Sequence, residues 1–164
     1  MTAAIVGLCA AAGFGDSSEK SLRAKLNGFN EVPAISTQAS GEFRAKINRT
    51  DTELTYDLEY SGLEGSVLQS HVHLGQTSVN GGIMFFLCGT AASPGPAGTP
   101  VCPASGTVSG MITAANVIGP AGQGVSAGEF AEALRAIRAG VSYANVHSTK
   151  WPGGEIRGQV KSDD

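Results

Sequence analysis

Beyond Ser21 the chain alternates apolar and polar residues with a period of two, the pattern of strands that bury one face. Leu22, Ala24 and Leu26 share a face of a first segment, Phe43, Ala45 and Ile47 of a second, and Leu54, Tyr56, Leu58 and Tyr60 of a third. Arg49-Thr50-Asp51-Thr52 reads as the turn between the last two, since Asp and Thr side chains can satisfy turn backbone groups. Val67 to Leu74 continues in the same style. Gly82 to Leu87 is a short continuous apolar run, as in a strand buried on both faces, and Gly106 to Thr113 is a Gly-rich strand.

One helix interrupts the series. Ser126 and Glu129 fit a capping box, in which the serine oxygen and the glutamate three residues on each satisfy a free backbone N–H. Phe130, Leu134, Ile137 and Val141 then recur at helical spacing, and Gly140 is a natural stop, which predicts a helix over Ala127 to Ala139. Two strands follow, Val141 to Ser148 and Glu155 to Lys161, joined by Trp151-Pro152-Gly153-Gly154. Seven or eight short strands with one helix predict a mainly β, antiparallel Greek-key sandwich or barrel in a single domain.

Composition agrees. The 164 residues are 41% apolar and 15% charged, enough to bury a core, and 23 glycines with 7 prolines imply many turns. Aromatics are only 6%, so the core rests on Val, Ile, Leu and Ala. The net charge is −3, and the 11 basic residues form no stripe along the sequence, which argues against nucleic-acid binding. No apolar run approaches the roughly 20 residues of a membrane-spanning helix.

Met1 to Ala12 is nonetheless small, apolar and uncharged, and Gly13 to Ser21 turns abruptly polar. Residues 1–20 therefore read as a secretory-signal-like segment lacking its basic start, or as a disordered tail, ahead of a domain over 21–164. Cys9 follows Leu8, where a lipoprotein signal wants a small residue, and it would leave with the signal. Cys88 and Cys102 flank 13 residues rich in Pro, Gly and Ala that could not order themselves, so a disulfide is expected there. Such bonds persist in oxidising compartments, which fits a secreted or periplasmic protein; two buried free thiols are the alternative.

All three histidines lie in two predicted strands. His71 and His73 are two apart and share a face, opposite Ser70, Val72 and Leu74, and His147 ends the strand after the helix. If those strands are neighbours the rings converge. Three neutral imidazoles with an open position suit copper, or zinc as the alternative. The bland alternative is that they bond carbonyls at one end of the sandwich. Gly75, Gly153 and Gly154 would let backbone approach the rings. Arg157 could point toward His147 or form a structural salt bridge, and with Asn145 it is a candidate to support the ligands.

Other chemistry is poorly represented. No G-x-S-x-G elbow occurs, and Gly119 to Gly124 lacks the Lys-Ser/Thr of a phosphate loop. Glu53, Asp57 and Glu59 alternate as on a solvated strand face.

Four segments also carry a resemblance: Leu26-Asn27-Gly28-Phe29-Asn30-Glu31-Val32-Pro33, His71-Val72-His73-Leu74-Gly75, Tyr143-Ala144-Asn145-Val146-His147-Ser148, and Pro152 to Gln159. In this order, over about residues 22 to 161, they resemble the CHRD domain, a family named for its repeats in chordin. Ala144 and Ser148 stand where that family often has Val and Thr, and the loop from Cys88 to Cys102 is longer than usual. The resemblance implies a secreted or periplasmic β-sandwich or barrel and settles no activity. The H-x-H strand with the later N-V-H is also similar to the copper-ligand layout of Cu,Zn superoxide dismutase, although no histidine remains for a zinc subsite.

Three functions stay open from the sequence. The first is an extracytoplasmic protein holding copper on His71, His73 and His147 for binding, delivery or sensing. The second is a copper redox enzyme acting on superoxide or a small oxidant. The third is an adhesion module with structural histidines and another extracytoplasmic protein as partner.

Overall fold

The computed structural model describes residues 20–162, so the signal-like segment, Cys9 included, lies outside the described residues except for Lys20. The alternation yields β1 (Lys20–Asn27), β2 (Ser40–Ile47), β3 (Leu54–Ser61), β4 (Val67–Leu74), β5 (Gly82–Gly89) and β6 (Gly106–Ile112). A helix α1 (Phe130–Arg138), then β7 (Ser142–Ser148), β8 (Ile156–Gln159) and β9 (Lys161–Ser162) complete the chain.

The strands form one antiparallel sheet in the order β5-β4-β7-β8-β1-β2-β3-β6, with β9 also on β1. The connections β3 to β4 and β6 to β7 cross over, so β6 lies beside β3 and β7 beside β4, a Greek-key path. The sheet curls until its two edges almost meet. Across the remaining seam run the disulfide Cys88–Cys102, the bridge between Gly89 and Val101, and a hydrogen bond from Tyr56 Oη to the Leu87 carbonyl. The expected disulfide therefore also ties the edge of β5 to the segment that leads into β6. The turn between β2 and β3 is held mainly by Asn48, whose Oδ1 accepts from the Thr52 and Glu53 amides, while Asp51 adopts a positive φ of 56°.

One core fills the barrel. Leu22, Leu26, Phe43, Leu54, Leu58 and Ile156 are among its buried side chains, and the helix adds Phe130, Ala133, Leu134 and Ile137 to it. The helix starts later than the capping box predicts: Gly128 has φ +85°, which breaks the first turn, and Glu129 rather than Ser126 occupies the cap position. Half of the box survives, as the Ser126 amide donates to the Glu129 carboxylate. Gly140, at φ +69°, ends the helix as expected.

The sheet is unequal. β2 and β3 bury alternate residues and expose the rest, and Asp57 and Glu59 lie on their solvated side. Strand β7 is buried at every position, and β4 from Ser70 to His73. Their outer face is roofed by loops: Asn80 Nδ2 donates to the Val32 carbonyl, linking segments 28–37 and 75–82 above the sheet. This second buried layer positions the histidines.

Candidate metal centre

The register of β4 with β7 sets His71 opposite Asn145, His73 opposite Tyr143 and Gln69 opposite His147. β8 continues the row, with Arg157 opposite Asn145. Because alternate residues share a face, one buried layer receives His71 and His73 from β4, Tyr143, Asn145 and His147 from β7, and Arg157 from β8. The expected convergence is observed: one ligand nitrogen from each of the three histidines lies within 4.8 Å of the others.

Neighbouring carbonyls fix the tautomers. A carbonyl only accepts, so His73 Nδ1–H donates to Gly81 O at 2.9 Å and His147 Nδ1–H to Pro152 O at 2.9 Å. Both rings, when neutral, are left with a lone pair on Nε2. The carbonyl bonds that stood as the alternative to a metal site are present on two of the rings and are compatible with one, since they orient the rings and leave the other nitrogen open to a ligand. His71 Nδ1 lies 3.1 Å from His147 Nε2. That is close to the spacing of two nitrogens bound about 2.0–2.1 Å from one ion.

The rings are enclosed. His71, His73 and His147 are 1%, 7% and 6% exposed, and neither His71 Nε2 nor His73 Nε2 has a hydrogen-bond partner. His71 meets the edge of Phe86 with centroids 4.3 Å apart, and His73 stacks on Tyr143 at 4.7 Å and 2°. Burial disfavours the imidazolium form and lowers the pKa of all three: His73 to about 4, His71 to about 2 with help from the other rings, and His147 likewise downward. All three are neutral near pH 7, the form that ligates.

Asn145 and Arg157 surround this cluster. The Asn145 carboxamide is 3.1 Å from His147 Nε2. Among the described residues Arg157 forms no carboxylate bond of the kind a structural salt bridge requires; its guanidinium donates to Asn80 Oδ1 and to the carbonyls of Gln76 and Val79. Its Cζ lies 3.3 Å from the centroid of the Tyr143 ring. The order His73, Tyr143, Arg157 is therefore one continuous stack.

Two participants escaped the sequence reading. Tyr143 entered there only as the first residue of the Tyr143 to Ser148 segment, with no role of its own. Glu31 is a lone acid in a loop, yet it is 6% exposed with Oε1 unpartnered. Burial raises its pKa to about 7 against the opposing pull of Arg157 and the Asn145 amide. Gly154, at φ +128°, makes room for it: a Cβ there would stand 2.5 Å from Glu31 Oε1 and 3.0 Å from Asn145 Nδ2. Gly75 is also closely packed, with Tyr143 Cε1 3.0 Å from where its Cβ would be, whereas Gly153 faces open space.

The arrangement is a neutral, all-nitrogen donor set within hydrogen-bonding range of an amide and flanked by one buried carboxylic acid. It can hold a metal ion. The CHRD domain family matches residues 22–160, nearly all of the described chain, and the protein belongs to that family. No curated protein and no solved structure matches it.

Proposed function

We propose that this CHRD-domain protein holds one copper ion on His71, His73 and His147, outside the cytoplasm, in copper binding, delivery or sensing. The observation that carries the reading is the close set of ligand nitrogens from the three histidines, all within 4.8 Å of one another, together with the buried, unpartnered His71 Nε2 and His73 Nε2. A buried polar atom without a partner costs roughly 1–3 kcal/mol, which an ion in the cluster would remove. Three imidazoles without a thiolate or carboxylate favour copper over magnesium or calcium, and the Irving–Williams order places copper above zinc at equal access.

The enclosure of the rings favours holding an ion over turning over a small oxidant, since a redox enzyme needs its open position within reach of substrate. The disulfide between Cys88 and Cys102 supports an oxidising compartment, secreted or periplasmic. Metal analysis of protein purified without a His-tag tests the reading. Copper at one ion per chain, absent from the triple Ala variant of the three histidines, supports it; no copper after exposure to Cu(II), or the same content in the variant, refutes it.

A further inference from the structure

One short loop clamps side chains from three strands. The Gly81 carbonyl accepts from His73 Nδ1 at 2.9 Å and the Gly81 amide donates to Tyr143 Oη at 3.2 Å, so a single residue holds both rings in their parallel stack. From the same loop, Asn80 Oδ1 and the carbonyls of Gln76 and Val79 accept from the Arg157 guanidinium. The spacing of the stack is thereby fixed: 4.7 Å between the ring centroids of His73 and Tyr143, and 3.3 Å from Arg157 Cζ to the Tyr143 centroid. All three side chains are buried.

A guanidinium does not deprotonate in proteins, so a permanent positive charge sits one aromatic ring away from a candidate ligand. Packing alone does not call for it. Burying a charge is costly, and an apolar side chain of similar volume would fill the space without that cost.

Charge matters here because of the donors. The grouped ligand atoms all come from imidazoles, and among the described residues no carboxylate or thiolate joins them. The three rings are enclosed, so water screens little. Sulfur ligands would select Cu(I) by themselves, whereas imidazole suits copper more broadly and leaves the choice of oxidation state to the surroundings. Cu(II) brings two positive charges into this enclosure and Cu(I) brings one, and burying more charge costs more. Arg157 widens the difference, because it repels the doubly charged ion more strongly. Glu31 lies near enough to feel Arg157 and pulls the other way when ionised. The contribution of Arg157 keeps its sign with or without a counter-charge.

We propose, building on the copper reading, that this centre favours Cu(I) over Cu(II) more strongly than free imidazoles do, and that Arg157 sets part of that bias. Arg157 is not a ligand; it acts on the site across the Tyr143 ring.

Competition titrations of the full chain test it, with bicinchoninate against Cu(I) under anaerobic ascorbate and with glycine against Cu(II) in air. The ratio of Cu(I) to Cu(II) affinity should exceed that of copper in excess imidazole by about tenfold or more. R157Q should lower the ratio about tenfold, and R157K, which keeps the charge, should stay closer to wild type. E31Q at pH 8, above the Glu31 pKa of about 7, removes a negative charge and should raise the ratio. A purely structural disturbance has no reason to move R157Q and E31Q in opposite directions, and if R157Q does not fold, the wild-type and E31Q ratios still decide. A wild-type ratio no higher than that of free imidazole, an unchanged ratio in R157Q, or a ratio lowered by E31Q overturns the proposal and leaves the copper site standing. No binding of copper in either state overturns both.

Discussion

Nδ1 of His71 and Nε2 of His147 lie 3.1 Å apart across 76 positions of sequence, brought together because β7 returns to pair with β4. Two neutral imidazoles at that separation share one proton between facing nitrogens, and the carbonyl of Pro152 has already committed the other side of His147. The account of the site follows from this forced proximity.

Copper retention should extend to lower pH than ordinary histidine ligation allows. The unperturbed value near 6.5 would predict release below that pH, but burial holds His73 near 4 and His71 lower still. Copper content after dialysis should be unchanged between about pH 7 and pH 5. Release with a midpoint near 6.5 would contradict the burial of the rings.

The same shifts act on the metal-free fold. Each histidine has a folded pKa below its unfolded one, so the unfolded state takes up protons first as the pH falls below about 6.5. Stability is therefore full above that value and is lost as the pH falls toward about 4, by about 3 kcal/mol for His73 alone. Glu31 works oppositely: its raised pKa gives stability present below about 4.5 and lost as the pH rises through about 7. Urea midpoints across this range should drop less on acidification in the triple histidine variant than in wild type, and less on alkalinisation in E31Q.

How far the sequence led can be seen residue by residue. Period-two alternation located β1, β2 and β3 because each buries one face, and the H-x-H spacing placed two rings together. It did not show that loops roof the histidine face or that β7 is buried on both sides. Such a doubly buried strand has no alternation to read. Glu31 and Arg157 could not be joined from sequence, because their proximity depends on the loop at 28–37 folding over β8. The helix start failed for a local reason, the positive φ of Gly128.

Asn145 should matter to metal affinity although it is not a ligand. It lies 3.1 Å from His147 Nε2 and faces both His71 and Arg157 in register. N145A should weaken copper binding by about 10–100-fold in a competition titration while the far-ultraviolet dichroism stays that of the wild type. An unchanged affinity would remove Asn145 from the site.

Gly154 should tolerate no side chain. A Cβ meets Glu31 Oε1 at 2.5 Å, and φ +128° is itself unfavourable for an L residue. G154A should cost about 1–3 kcal/mol by chemical denaturation, while G153A, which faces open space, should cost far less.

Removing the disulfide should open the seam of the barrel. The bond closes a loop with a sequence separation of 14, and C88S/C102S should lose about 3 kcal/mol in the chain-entropy picture. The proposed copper site lies on β4 and β7, with β5 between β4 and that seam, so copper stoichiometry should survive wherever the variant is folded. Loss of copper from folded C88S/C102S would tie the site to the seam after all.

The central claim is that three imidazoles hold one copper ion, and paramagnetic resonance of the Cu(II)-loaded protein tests it most directly. The account predicts a single copper signal per chain with nitrogen coupling from imidazoles, lost in the His71, His73 and His147 triple Ala variant and retained in D57N on the solvated face of β3. The same spectrum at the same stoichiometry in the triple variant would contradict it.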